Sequence, residues 1–278
     1  MSLQSYLKKQ SAKIEKALKG YLPRKEEHPS TLHEAMRYVV LSGGKRVRPI
    51  LTLAACEAVG GEEKKAVPVA CALELIHNYS LVHDDLPCMD DDDLRRGKPT
   101  CHKKFSEETA VLAGDALLTL AFKLLTSANS HHTMPGLKKQ LEVASDIADA
   151  IGTRGMVGGQ AVDIEFQNKE LDLPTIEYIN THKSGALIAV SLKAGAMLGG
   201  GGPREVESLY RYGKCLGLLF QIVDDILDRE GYAKVVGVSE ARQEAERLHS
   251  KAKKELRPFG QKAKMLNQLT DFVLTREY

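Results

Sequence analysis

Tryptophan is absent from the 278 residues, and aromatic side chains together make up only 5%. So few rings argue against a surface that stacks nucleobases. Net charge is nearly missing as well: 39 lysines and arginines stand against 37 aspartates and glutamates, leaving +2 and a pI of about 8.2. No global field draws a polyanion such as nucleic acid, so any anion site must be local. The five cysteines (Cys56, Cys71, Cys88, Cys101, Cys215) form no C-x-x-C pair. That argues against a zinc site and a disulfide framework, and they read as reduced, mostly buried thiols of a cytoplasmic protein. No unbroken apolar run approaches the roughly 18 residues of a membrane helix, and the polar stretch Met1 to Lys9 lacks the apolar centre of a signal peptide. Neither a membrane span nor a signal peptide is expected.

Helical periodicity is what the chain has in abundance. Apolar residues recur at three- and four-residue spacing over 2–20, 33–42, 47–59, 68–83, 107–128, 137–156, 174–198, 203–228, 239–257 and 259–275. Gly20, Pro23, Gly60 and Gly61 punctuate them, and Ser30 or Thr31 is placed to cap the second. With 43% hydrophobic residues and no βαβ signal, these segments predict an all-α protein, a helical bundle of on the order of ten helices in one domain, 1–278. Gly199 to Gly202 lacks a following Lys-Ser/Thr and reads as a turn, not a phosphate loop.

The chemistry concentrates around residues 81–100. There Asp84, Asp85 and Asp90 to Asp93 lie with Arg95, Arg96 and Lys98 at the end of an apolar run from Cys71 to Leu81. So much acid beside a hydrophobic helix suits a divalent cation, and Mg²⁺ shares its hard oxygen ligands between carboxylates and substrate phosphates. A second cluster answers the first. Gln221, Asp224, Asp225 and Asp228 fall at i, i+3, i+4 and i+7 among Phe220, Ile222, Val223, Ile226 and Leu227. Carboxylates embedded in such a helix need a partner, and a metal would serve.

Anion sites complete the pattern. The run Gly43-Gly44-Lys45-Arg46-Val47-Arg48-Pro49 opens a helix, where amide groups and the helix dipole favour phosphate. His77 stands two turns before Asp84 and faces the same way. Arg95 and Arg96 are candidates for two different phosphates, one of them metal-bound. The stretches 181–185, with Lys183 and Ser184, and 158–163, with Gln160 and Asp163, interrupt long helices with polar groups and are candidates to line the same cavity.

These motifs together resemble the trans-isoprenyl diphosphate synthases, most closely the bacterial farnesyl diphosphate synthases. D-D-x4-D matches Asp84, Asp85 and Asp90; D-D-x-x-D matches Asp224, Asp225 and Asp228; G-K-x-x-R-P matches Gly44 to Pro49. The phrases YSLVHDDLPCMDDDDLRRGKPTCH, LAGDALLTLAF, GGQAVDIE, HKSGALI and GLLFQIVDDILD also follow the family's order, over about residues 30 to 230. The resemblance implies the isoprenoid synthase fold, a homodimer, and three Mg²⁺ ions between the aspartate motifs. It implies head-to-tail condensation of isopentenyl diphosphate with dimethylallyl or geranyl diphosphate by ionisation, attack and proton loss. Asp84, Asp90 and Asp224 would be metal ligands, and Asp85 and Asp228 would be ligands or hold metal-bound water. Asp225 completes the second motif. Arg95, Lys183, Ser184 and Gln221 would serve the allylic diphosphate and the developing cation. Gly44, Lys45, Arg48, His77 and Arg96 would hold isopentenyl diphosphate.

In this family bulk before the first motif sets product length, so Tyr79, five residues before Asp84, with Ser80 beside it, implies farnesyl diphosphate; geranylgeranyl diphosphate is the alternative. One departure stands out. The family carries a lysine-bearing G-K-x-x-G-K-D-like loop before a TYP turn, whereas here Arg229 to Lys234 runs almost directly into the next helix. The expectation is that a mobile lid of this kind belongs to the protein after Asp228 and is left out of this sequence. Among rivals, a class I terpene cyclase would not need the second diphosphate site of Lys45, Arg48 and Arg96. A non-catalytic subunit would have lost aspartates that are intact here.

Overall fold

The computed structural model describes residues 1–127, 134–167 and 169–276. It is almost wholly helical, as the periodicity predicts. The helices are α1 (Leu3–Tyr21), α2 (Ser30–Leu41), α3 (Val47–Ala58), α4 (Glu63–Asp84), α5 (Cys101–Lys104), α6 (Glu107–Thr126), α7 (Met134–Ile151), α8 (Met156–Glu165), α9 (Leu173–Ile179), α10 (Ala186–Leu198), α11 (Pro203–Asp228), α12 (Gly231–Val236), α13 (Val238–Leu256) and α14 (Lys264–Thr275). A π-helix, Asn180–Gly185, joins α9 to α10, and a 3₁₀ turn, Arg257–Ala263, joins α13 to α14.

Contacts divide the chain into two compact units. One comprises Ser2–Ile50 and Val67–His131, the other Leu51–Ala66 and His132–Tyr278 with Met1. In the first, α6 packs on α2 and α5, and α2 also meets α1. In the second, α11 is the hub and touches α10, α12, α13, α14 and the π-helix. The segment Ala66 to Val82 of α4 reads apolar nearly all round, and Leu73, Leu75 and Ile76 are fully buried.

Three details differ from the sequence reading. The second helix starts at Ser30 itself, so its N-cap is Pro29 and no side chain caps it. A two-stranded hairpin, β1 (Leu94–Arg95) and β2 (Lys98–Pro99), breaks the helix-only pattern. Its turn puts Arg96 (φ 54°) and Gly97 (φ 72°) in the left-handed region, as a primed turn requires. The helix expected over 137–156 is cut by a turn before Met156, and the end expected for another at Ala128 lies outside the described residues. After Asp228 the chain runs straight on, as the sequence shows. Arg229 (φ 57°) ends α11 in a left-handed cap, and α12 begins at Gly231.

Among the described residues α6 is long and apolar enough to cross a membrane. Its Ala110, Ala113, Leu117, Ala121, Leu124 and Leu125 are buried, which is the pattern of a core helix. All five cysteines are free. Burial pushes the thiols of Cys71 and Cys101 up to about 12, far from reactive thiolates.

Candidate active site

The first aspartate motif is built by the end of α4. The amide of Asp90 donates to the carbonyl of Asp84 at 2.9 Å, so the four-residue spacing is the length of a closed loop that returns Asp90 to the helix end. Asp84 is half-buried and Asp90 exposed. Asp85 points inward, at 4% exposure, and receives Arg95 through Nε at 2.9 Å and through Nη2. Arg95 Nη2 also meets Asp92 at 2.7 Å. Burial pushes the Asp85 carboxyl up, against the pull of Arg95; Asp85 and Asp92 in turn hold Arg95 above its ordinary value despite its own burial. Asp93 pairs with Lys103 at 2.8 Å in solvent.

Five residues named from sequence come together in a cavity of about 540 Å³: Gly44, Lys45, Arg48, His77 and Arg96 line it, with Arg46 and Glu74. Gly44 (φ +127°) takes a backbone conformation that favours glycine, and a Cβ there would lie 2.7 Å from the Arg96 guanidinium carbon and push that arginine aside. Arg96 Nη1 donates to the Gly43 carbonyl. Burial first, then Arg48, Arg96, Arg46 and Arg95, pushes His77 well below its usual pKa, so it meets an anion as a neutral ring. Sequence reasoning missed Arg46 and Glu74, both buried beneath this cavity.

In the other unit, Asp224, Asp225 and Asp228 lie on the last turns of α11, with Gln221 one turn before them. Asp225 accepts from Asn180 Nδ2 at 3.3 Å and from the Tyr232 amide at 2.8 Å. Burial raises its pKa against these two bonds. Asp224 is paired with Arg276 at 2.5 Å, and that guanidinium also stacks 4.1 Å over the Phe220 ring. Asp228 is exposed. Lys183, on the π-helix, meets Asp163 of α8 at 2.5 Å. Two glycines allow the approach: a Cβ on Gly159 would sit 2.2 Å from the Lys183 amide nitrogen, and one on Gly217 2.9 Å from Gly185 Cα. A single-turn π-helix is a frequent mark of a functional site. Ser184 lies on it, half-buried. Asn180 and Arg276 were not foreseen from sequence. Thr181 and His182 of the same turn line a different cavity of about 410 Å³, with Arg154, Lys193, Tyr210 and Lys214.

Residues 29–241 match the polyprenyl synthetase family. The chain belongs to it. This makes it a prenyltransferase of isoprenoid biosynthesis with the isoprenoid synthase fold, in agreement with the motifs. The large subunit 1 of the heterodimeric geranylgeranyl pyrophosphate synthase of Arabidopsis thaliana is 45% identical over 98% of this chain and 79% of its own. The chloroplastic geranylgeranyl pyrophosphate synthase of Capsicum annuum is 44% identical over 98% of this chain and 78% of its own. Among solved structures, an FPP/GFPP synthase from Zymomonas mobilis superposes with a TM-score of 0.92 at 39% identity, covering 98% of this chain and 99% of that one. The alignment with the Arabidopsis subunit runs over 296 positions, more than the 278 residues present, so that relative carries residues with no counterpart here.

Two features bear on how this polyprenyl synthetase works. Tyr79 is buried, at 8% exposure, and its ring meets His83 edge-on with centroids 5.7 Å apart. Ser80 turns its hydroxyl back to the His77 carbonyl at 3.0 Å. No three His, Cys, Asp or Glu side chains gather into a metal cage among the described residues. Magnesium needs no cage, since it takes one or two carboxylates and completes its shell with waters and substrate phosphates. The donor set fits that habit: Asp90 and Asp228 are exposed, and Asp84 and Asp224 are half-buried. On α8, both amide atoms of Gln160 are buried without a hydrogen-bond partner among the described residues.

Proposed function

We propose that this prenyltransferase condenses isopentenyl diphosphate with an allylic diphosphate, dimethylallyl or longer, to extend a trans-prenyl chain. The observation that carries the reading is the cationic cavity of Lys45, Arg48, His77 and Arg96, which is distinct from the Asp85–Arg95 cluster. Two separate diphosphate subsites suit condensation of two substrates, whereas a terpene cyclase needs one. In this reading the cavity holds isopentenyl diphosphate, with neutral His77 donating a hydrogen bond among the cations. Arg95, Lys183, Ser184 and Gln221 serve the allylic diphosphate and the allylic cation. Asp84, Asp90, Asp224 and Asp228 would hold Mg²⁺, which supplies Lewis-acid charge to the departing diphosphate. Arg95 and Lys183, fixed by Asp85 and Asp163, add preorganised positive charge where the leaving group becomes more negative. No side chain is placed as a dedicated base, so the released diphosphate takes the proton.

Product length has two readings. Geranylgeranyl diphosphate is favoured by the names of the curated relatives, at 41 to 45% identity. Farnesyl diphosphate, expected from sequence, rests on the buried Tyr79 ring as the floor of the growing chain. A homodimer and a cytoplasmic location belong to the proposal too. The first is supported by Val111 and Leu112, exposed on α6, and the second by five free thiols.

Incubating the protein with isopentenyl diphosphate, dimethylallyl or geranyl diphosphate and Mg²⁺, followed by product chromatography, tests all of this. Failure to elongate would overturn the enzymatic reading. A C20 product supports the geranylgeranyl assignment. A C15 product supports Tyr79 as the floor, and Tyr79→Ala then moves the product to C20 or beyond.

A further inference from the structure

The run Gly43 to Arg48 is held at its middle by a buried network on Arg46. Arg46 lies in the left-handed region (φ 52°), where a non-glycine residue needs external support. Its side chain is fully buried. Nη1 donates to Glu74 Oε1 at 2.7 Å and Nη2 to the Val40 carbonyl at 2.6 Å, at the end of α2. Glu74, at 1% exposure, is the one carboxylate among the residues lining this cavity. Asn78, a turn later on α4, donates from Nδ2 to the Glu74 carbonyl at 2.7 Å and to Oε1 at 3.3 Å, so both donors converge on one oxygen. The loop is thereby nailed between α2 and α4 at its middle residue, and Lys45 and Arg48 flank the nail.

We infer that Glu74, with Arg46 and Asn78, is a positioning residue that sets the affinity of the diphosphate subsite formed by Lys45, Arg48, His77 and Arg96. This rests on the proposed function for the identity of the ligand, isopentenyl diphosphate. Two roles for Glu74 predict opposite signs. As a bystander carboxylate it repels an anion, so neutralising it should tighten binding. As the anchor of a buried cation, its loss leaves Arg46 with only the Val40 carbonyl and the more distant, partly exposed Glu15 at 3.9 Å, and lets the loop move, so binding should weaken.

The test is Glu74→Gln, which keeps shape and removes charge. The expected result is a rise of tenfold or more in KM for isopentenyl diphosphate, with kcat and the KM of the allylic substrate within threefold of wild type. Glu74→Asp should recover part of the loss. Should Glu74→Gln fold poorly, the double variant Arg46→Met with Glu74→Leu removes both buried charges; it should hold its Tm within a few degrees and still show the raised KM. An unchanged or lower KM for isopentenyl diphosphate, or an equal loss for both substrates, overturns the inference. If the wild type does not elongate at all, the enzymatic reading fails separately. Calorimetric binding of inorganic pyrophosphate to wild type and variants then reads the positioning role on its own, with equal affinities overturning it.

Discussion

Each aspartate motif begins with adjacent aspartates, Asp84 at the end of α4 with Asp85 one residue past it, and Asp224-Asp225 on α11. Asp85 is buried where Asp84 is half-buried, while Asp224 and Asp225 are both half-buried. Asp85 and Asp225 are both raised in pKa by burial and both hydrogen-bonded. They differ in what answers them. Asp85 holds a cation, Arg95. Asp225 holds two neutral donors, the Asn180 amide and the Tyr232 backbone N–H. The proposed division is that the first aspartate of each pair binds metal, Asp224 giving up its Arg276 pair to do so, and the second fixes a neighbour. In the first half that neighbour is a candidate substrate ligand. In the second it is the π-helix and the short connection to α12.

The largest effect should come from the first acid of each pair. Asp84→Asn and Asp224→Asn should each lower kcat by at least about a thousandfold, as loss of charge stabilisation on a departing diphosphate would. Their Tm should change by only a few degrees, and steady-state kinetics beside thermal unfolding checks both. Asp85→Asn should show the reverse balance. We expect a loss of about 2 kcal/mol in urea unfolding, below the roughly 3–5 of a fully buried pair because Arg95 is partly exposed and keeps Asp92. Its kcat/KM for the allylic substrate should fall about a hundredfold through misplacement of Arg95.

Asp225→Asn should be milder, about 1 kcal/mol, since an amide oxygen still accepts from both neutral donors. Its pH dependence gives the comparison a sign. Burial holds the Asp225 pKa above the ordinary value of about 3.9, so its stabilising contribution is full below that value and is lost as pH rises through the folded pKa. In metal-free protein, the stability gap between Asp225→Asn and wild type should therefore shift in favour of the variant between pH 4 and pH 7. A gap that moves the other way would show that the two hydrogen bonds outweigh burial. Smallest of all, Asp93→Asn should leave turnover within twofold and Tm unchanged, because its Lys103 pair lies in solvent.

The helices and both motifs were legible because apolar spacing and acid spacing are local properties. Lys45, Arg48, His77 and Arg96 were also legible, and they share a cavity. What escaped was long-range pairing. Glu74 sits inside an apolar run that was read as core, and its partner Arg46 is 28 residues away. A lone glutamate in a buried helix, with a spare arginine in the G-K-x-x-R-P run, was the signal available. Asn180 and Arg276 reach Asp225 and Asp224 across 45 and 52 residues, beyond any helical spacing. The hairpin escaped because its left-handed turn uses Arg96-Gly97 in place of the usual Asn-Gly. In this sequence, α11 closes with Arg229 and α12 begins at once, with no lysine loop between them.

The division of labour within each aspartate pair can be tested by calorimetric titration of Mg²⁺ in the presence of an unreactive allylic thiodiphosphate. Wild type would be compared with the Asp84→Asn, Asp85→Asn, Asp224→Asn and Asp225→Asn proteins. The account predicts that Mg²⁺ binding is lost or weakened at least tenfold in the Asp84 and Asp224 variants and stays within about threefold of wild type in the other two. Equal loss in Asp84→Asn and Asp85→Asn, or in Asp224→Asn and Asp225→Asn, would contradict it.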